Sequence, residues 1–212
     1  RGTESKTESS LKRLMKGEKR IGKSSTEKAA GAEATGRETT AESDGDEWVM
    51  NGEKWFSSSA SVADIAVVMA KTDPDAPRHE QYSTFIVELP NPGYEIVRNI
   101  ETMQPHTELG LKLGGSHSEI KIDNLRVPRE NILGGQGQGF NMGQHRLAYG
   151  RLRHGMHNVE MAQRALDLAE KHITSRETFG KRLADRQGVR WMMADCASEI
   201  YKARLMLLHI AY

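Results

Sequence analysis

From Arg1 to about Ser43 the only large apolar side chains are Leu11, Leu14, Met15 and Ile21. So few cannot offset the entropy of ordering that many residues, which predicts a loose or poorly packed opening segment. Strand-like alternation begins at Glu47. There Trp48 and Met50 flank Val49, Asn51-Gly52 offers the positive φ angles of a tight turn, and Lys54-Trp55-Phe56 follows, a pattern that predicts a hairpin. Further strands are predicted at Asp64 to Lys71, Ser83 to Leu89, Tyr94 to Val97 and Ser118 to Ile122, rich in Val, Ile and aromatics and separated by Pro, Gly, Asn and Asp. Short strands with turn chemistry between them and no helical period argue for an antiparallel sandwich or barrel rather than a parallel sheet.

After Val127-Pro128 the period changes. Gly134, Gly135, Gly137 and Gly139 predict a flexible joint before Phe140. Beyond it Leu152, Met156, Val159, Gln163 and Leu166 recur at helical spacing, and a second helix from about Arg186 carries Val189, Met192, Met193, Ile200, Leu205 and Leu208. A short loop between two long helices makes them an antiparallel pair, and apolar residues on several faces call for further helices. The fold class is therefore α+β: an antiparallel β-sandwich or barrel, then the long antiparallel helices of a four-helix-type bundle. The second helix runs to Tyr212 without a cap or breaker, so the chain is expected to be truncated there.

Composition narrows the function classes. The net charge of +1, from 30 basic and 29 acidic residues, gives no broad field to recruit nucleic acid. Runs such as Ile65 to Ala70 are too short to cross a bilayer, so no membrane insertion is expected. Residues 1 to 23 are basic and Ser-bearing, but Glu4, Glu8 and Glu18 interrupt them, unlike an organelle presequence. Cys196 stands alone, which excludes an intrachain disulfide and reads as a small buried helix residue. No metal site is expected, because His154 and His157 lack a third ligand at suitable spacing. The glycines at 134–139 lack a Walker ending, and Ser57, Ser58 and Ser59 form no nucleophile elbow. Arg176 to Leu183, followed by Gln187, is different: a guanidinium, a hydroxyl, an aromatic ring and a carboxamide surround one break between helices. That set suits an anion beside a flat ring. On these residues alone a solvated helix terminus remains the competing reading.

Arg176-Glu177-Thr178-Phe179-Gly180-Lys181-Arg182-Leu183 with Gln187 resembles the Arg-x-Thr-Phe-Gly-Lys-x-Leu…Gln segment of acyl-CoA dehydrogenases. Asp44 through Ser58 resembles that family's middle-domain motif, and Thr26 through Glu33 its Thr-Glu-Pro-x-x-Gly-Ser-Asp motif, with Lys28 for the proline, Ala32 for the serine and Glu33 for the aspartate. The resemblance implies a leader at 1–25 with no counterpart in the family, a middle β domain at 26–135 and the start of a C-terminal helical domain at 136–212. It implies FAD as cofactor, held by Thr26, Phe56, Ser57 and Ser58, and by Arg176, Thr178, Phe179 and Gln187 reaching to a neighbouring subunit. Ala32, Tyr149, Gly150 and Arg151 fall where acyl-CoA contacts are expected. One subset of the family keeps its catalytic glutamate where Gly150 stands, so the base is expected beyond Tyr212, and no catalytic residue is assigned within the chain.

The implied activity is α,β-desaturation of an acyl-CoA by a homodimer or homotetramer that passes electrons to an electron-transfer flavoprotein, in a bacterial cytoplasm or a mitochondrial matrix. This chain alone is expected to be inactive. The alternatives are a flavin-dependent acyl-CoA oxidase or nitroalkane-oxidase-like enzyme of the same superfamily, and an inactive oligomerisation module.

Overall fold

Two twelve-residue strands, β3 (Glu47–Ser58) and β7 (His117–Pro128), pair antiparallel along their length and form the spine of the β region. The structure is a computed structural model that describes residues 10–103 and 116–212. The chain divides into two compact units, Arg1–Gly143 and Gln144–Tyr212.

In the first unit a one-turn helix, α1 (Lys12–Met15), precedes β1 (Ile21–Ser24) and β2 (Thr40–Asp44). Then come β3, β4 (Ile65–Lys71), β5 (Tyr82–Glu88), β6 (Tyr94–Ile100), β7 and β8 (Ile132–Leu133). These form one eight-stranded sheet in the order β6-β7-β3-β1-β4-β5-β8, with β2 pairing both β3 and β4. Its pairings are mostly antiparallel, but β1 runs parallel to β4 from Ile21↔Ile65 to Ser24↔Val68, and β2 meets β4 in parallel at Thr40↔Lys71. The purely antiparallel expectation is corrected to that extent. Trp48 on β3 lies 5.5 Å, edge on, from Phe85 on β5, although other strands separate β3 from β5 in the sheet. Likewise Ser24 Oγ on β1 is 2.7 Å from the Tyr94 hydroxyl on β6. Contacts across intervening strands require the sheet to curl around one core, of which Met50, Val68, Phe85, Ile120 and Leu125 are fully buried members.

Two expectations about this region fail. Asn51-Gly52 does not close a hairpin, because β3 runs straight through it; the chain reverses at Gly45-Asp46, with Asp44 paired to Glu47 and Gly45 at φ 60°. Gly52 (φ 146°) marks a bulge instead, where the register against β7 shifts and an added Cβ would sit 2.8 Å from Thr39 Cα. Residues 21–43 are not loose. Ser24, Ala30, Thr39 and Ala41 are buried there, held by strand pairing and by polar side chains rather than by large apolar ones. Within the expected leader at 1–25, Ile21–Ser24 form β1, while residues 1–9 lie outside the described residues.

The glycine joint is also docked rather than slack. Gly137 donates its N–H to Ser83 Oγ at 3.0 Å, and a Cβ there would meet Glu80 O at 2.8 Å. A Cβ on Gly139 would strike the backbone of Tyr82 and Ser83, and Phe140 stacks on His79 at 4.4 Å. These glycines permit close approach to β5.

The long helix α2 (Gly139–Ser175) starts in the first unit and continues into the second, which also holds β9 (Glu177–Thr178), β10 (Lys181–Arg182) and α3 (Gln187–Ala211). The helices pack antiparallel: an added Cβ at Gly155 would lie 2.6 Å from Leu207 Cδ2, and Glu160 Oε1 meets Arg204 Nη2 at 3.0 Å. Much of α3 remains open, with Trp191, Met192, Tyr201 and Met206 exposed. Cys196 is exposed too, against the buried reading, because helical position alone cannot say which face another element covers. No described helix is long and apolar enough to cross a membrane.

Candidate functional site

A buried ion pair organises the end of β3. Lys54 Nζ donates to Glu27 Oε1 at 2.6 Å, and Glu27 also accepts from the backbone N–H groups of Glu38 at 2.5 Å and Thr39 at 3.2 Å. Burial pushes the Glu27 carboxyl up. The Lys54 charge and hydrogen bond, with the Glu38 and Thr39 donors, more than offset this and hold it below the ordinary value. Burial drives the Lys54 ammonium down to about 8, resisted by Glu27 and reinforced by the charge of Arg37. Trp55 N donates to Thr26 O at 2.7 Å, so the 26–28 segment is stitched to β3 at two successive positions.

Beyond Lys54 the strand breaks its alternation. The register against β7 shifts between Lys54 and Ser57, and Phe56 takes a left-handed φ of 52°. That inversion leaves Lys54 and Ser57 both inward and turns Phe56 out, 44% exposed, edge on to Trp55 at 5.6 Å and His117 at 5.9 Å. Ser58 Oγ lies 3.2 Å from His117 Nδ1, whereas Ser57 is fully buried, so its hydroxyl faces the interior. Thr26, Phe56 and Ser58 are thus gathered at one end of β3.

Lys28, where the family motif has proline, fills its surroundings with charge. It pairs with Glu119 at 2.5 Å and Glu53 at 3.6 Å and lies 5.0 Å from the centre of the Trp55 ring, with Arg98 at 5.2 Å from the same ring. Ala32 is exposed and brings no polar group. An open cleft of about 660 Å³ nearby is lined by Glu27, Glu38, Glu53 and Glu119 against Lys121. Three of these carboxylates are already paired: Glu27 with Lys54, Glu53 with Lys28, and Glu119 with Lys28 and Arg98.

In the second unit Tyr149, Gly150 and Arg151 occupy consecutive positions on α2, about 100° apart around the helix, so they cannot all face one ligand. Tyr149 is 77% exposed, and an added Cβ at Gly150 meets nothing within 4 Å.

The break between α2 and α3 is a tight hairpin. Thr178 pairs with Lys181 and Glu177 with Arg182, and the turn residues Phe179 and Gly180 have φ 51° and 69°. Two positive φ angles in a two-residue loop match the strand twist, but Asn or Gly is the usual first residue. Phe179 instead stands there 97% exposed. Arg186, at the N-cap of α3, donates to Thr178 O at 2.6 Å and Thr178 Oγ1 at 3.3 Å, with its guanidinium 5.8 Å from the Phe179 ring centre. Leu183 N closes the loop onto Arg176 O at 2.9 Å. The Arg176 side chain is exposed and has no ion pair or hydrogen bond among the described residues, and Gln187, the first residue of α3, is exposed too. Arg176, Thr178, Phe179 and Gln187 therefore share one connection.

A free guanidinium, a hydroxyl and a solvent-facing ring fit the pyrophosphate and heterocycle of a dinucleotide. Sequence reasoning missed Arg186 and the Glu27–Lys54 pair. Adjacency to Gln187 was the only sign of the first, and nothing in spacing reveals the second. No group of three or more metal-binding side chains occurs among the described residues.

Comparison with known proteins covers both units. Residues 22–125 match the profile "Acyl-CoA dehydrogenase, middle domain", and residues 137–212 match "Acyl-CoA dehydrogenase, C-terminal domain". The chain is 37% identical over 210 residues to the caffeyl-CoA reductase–Etf complex subunit CarC of Acetobacterium woodii, spanning 99% of this chain and 53% of that protein. It is 38% identical over 181 residues to cyclohex-1-ene-1-carbonyl-CoA dehydrogenase of Geobacter metallireducens, spanning 85% and 46%. The solved structure of butyryl-CoA dehydrogenase from Megasphaera elsdenii superposes with a TM-score of 0.84 at 30% identity, covering 98% of this chain and 52% of that one. The chain thus spans about half the length of the relatives it matches.

Proposed function

This chain belongs to the acyl-CoA dehydrogenase family, and from that premise we propose that it contributes the flavin site and part of the thioester site of an FAD-dependent acyl-CoA dehydrogenase. When bound, FAD supplies the hydride acceptor for desaturation of the α,β bond. The residues of this chain bind and orient. Phe56, turned outward by its left-handed backbone, packs against the flavin ring, and the Ser58 hydroxyl lies at its edge. Arg176 and Thr178 take the pyrophosphate, Phe179 packs against the adenosine end and Gln187 adds a carboxamide, all serving a neighbouring protomer of a homodimer or homotetramer.

In this reading Tyr149, exposed on α2, contacts the acyl thioester, and Gly150 beside it leaves space without an acid–base group. No described residue is given the role of base. An electron-transfer flavoprotein takes up the electrons, a partner class that appears by name in the Acetobacterium relative.

The observation that carries the proposal is Phe179. A large apolar side chain at a left-handed turn tip, 97% exposed, has only the Arg186 guanidinium against it within its own unit, too little to offset backbone strain and apolar exposure, which points to a partner ring. The test is Arg176→Ala in the protein purified with its flavin, followed by dialysis and a visible absorption spectrum. FAD loss is expected, and bleaching of the parent's flavin by an acyl-CoA under anaerobic conditions should accompany it. Full flavin occupancy in the variant would count against the assigned role.

A further inference from the structure

Two arginines border the hairpin between α2 and α3, and they are engaged differently. Arg176 has no side-chain partner among the described residues, so it is available to a ligand. Arg186 is half-buried and committed to Thr178 through both the backbone oxygen and the hydroxyl, with its guanidinium beside the Phe179 ring. A third, Arg182, is held by Asp185 at 3.5 Å.

The bond to Thr178 Oγ1 has a directional consequence. A hydroxyl carries one proton and two lone pairs, so when a guanidinium donates to the oxygen, the hydroxyl's own proton must point at a different acceptor. Among the described residues that hydroxyl is bonded by Arg186 alone, which can only donate. The nearby positive charge also makes Thr178 a stronger donor. Meanwhile the 2.6 Å bond to Thr178 O fixes the residue that precedes the left-handed Phe179.

We propose that Arg186 is a positioning residue for the flavin dinucleotide: it locks the Thr178–Phe179 turn and aims the Thr178 hydroxyl outward at a pyrophosphate oxygen. This rests on the flavin reading above. Arg186 touches no ligand itself. Its contribution is pre-organisation, so the turn is ordered before the cofactor arrives and less entropy is lost on binding. The N-cap of α3 does not depend on the side chain, because the backbone N–H of Arg186 donates to Leu183 O and no side-chain cap bond is present. Substitution can therefore probe the lock without removing the helix start.

The experiment compares FAD affinity, by titration of flavin-free protein, for the parent, Arg186→Met, Arg186→Lys, Thr178→Val, Arg176→Ala and the double variant Thr178→Val/Arg186→Met. Amide exchange of residues 177–182 is followed without flavin. Arg186→Met should weaken FAD binding about tenfold, a size typical of coupled charged hydrogen bonds. It should also speed exchange in the turn while leaving the thermal midpoint within a few degrees. Both bonds come from one nitrogen, Nη2, and a lysine ammonium ends one bond short of it and lacks the planar group beside Phe179, so Arg186→Lys should bind no better than the Met variant.

In the Thr178→Val background the Arg186→Met loss should shrink markedly. Parent-like FAD affinity in Arg186→Met, full rescue by lysine, or losses that simply add would each overturn the positioning role. If Arg176→Ala and Thr178→Val also leave FAD binding unchanged, the flavin reading of the turn fails as well. Losses in those two variants with a silent Arg186→Met would reject the positioning role alone.

Discussion

Glu27 and Lys54 form a salt bridge of 2.6 Å with both side chains out of solvent, joining the segment that carries Thr26, Lys28 and Ala32 to the strand that carries Phe56 and Ser58. The two segments are also hydrogen-bonded directly, Trp55 N to Thr26 O. The ion pair is thus the side-chain half of a joint that sets the spacing between the two motifs assigned to cofactor and thioester. Burying two charges is costly, and the cost is offset only where the remaining hydrogen-bonding capacity is filled. Glu27 meets that condition, since its second oxygen accepts from Glu38 N and the first is shared with Thr39 N.

Removing one partner should therefore cost more than removing both. Lys54→Met leaves Glu27 buried opposite an apolar chain and should destabilise the protein by about 3 kcal/mol, while Glu27→Gln/Lys54→Met should recover most of that loss. Urea unfolding at neutral pH checks it. Equal destabilisation by the single and double variants would show that the charge pairing is incidental to the joint.

The same pair sets an acid limit. Glu27 titrates below its ordinary value of 4.5, so it contributes stability that is present above that value and is lost as pH falls through its lowered folded value. Lys54, brought down to about 8, stays protonated across that acid range, so protonating Glu27 removes its counter-charge. Glu27→Gln should consequently be less stable than the parent at neutral pH, and the gap should close on acidification below about 4.5. A gap that stays constant from neutral to acid pH would exclude Glu27 as the titrating group.

Strands were legible wherever β-branched and aromatic residues cluster between turn residues, as at Ile65–Lys71 and Tyr82–Glu88. β1 and β2 escaped because Ser24, Ala41 and their neighbours are small or polar and are buried through backbone pairing and ionic bonds. Asn51-Gly52 misled for a related reason: its conformational freedom serves a bulge against β7, and local chemistry does not distinguish a bulge from a reversal. At the candidate site, the set Arg176, Thr178, Phe179 and Gln187 could be collected from composition around one helix break. What composition withheld was conformation. The left-handed backbone at Phe56 and Phe179, and the commitment of Arg186 to Thr178, follow from strand register and turn geometry.

Phe179 offers the sharpest separation of stability from function. A non-glycine residue at φ 51° carries strain of about 1 kcal/mol, which Asn relieves because its short polar side chain tolerates this region. Against this, Phe179→Asn gives up the contact with the Arg186 guanidinium, about 0.5 kcal/mol at an exposed site. The strain term is larger, so the variant should unfold at the same urea concentration as the parent or slightly higher. Flavin should nonetheless dissociate more readily, since the ring assigned to the adenosine end is gone. Measuring both quantities on one preparation decides the matter: a variant that is clearly less stable, or one that keeps its flavin as tightly as the parent, would mean that Phe179 is held in its strained turn for some reason other than the cofactor.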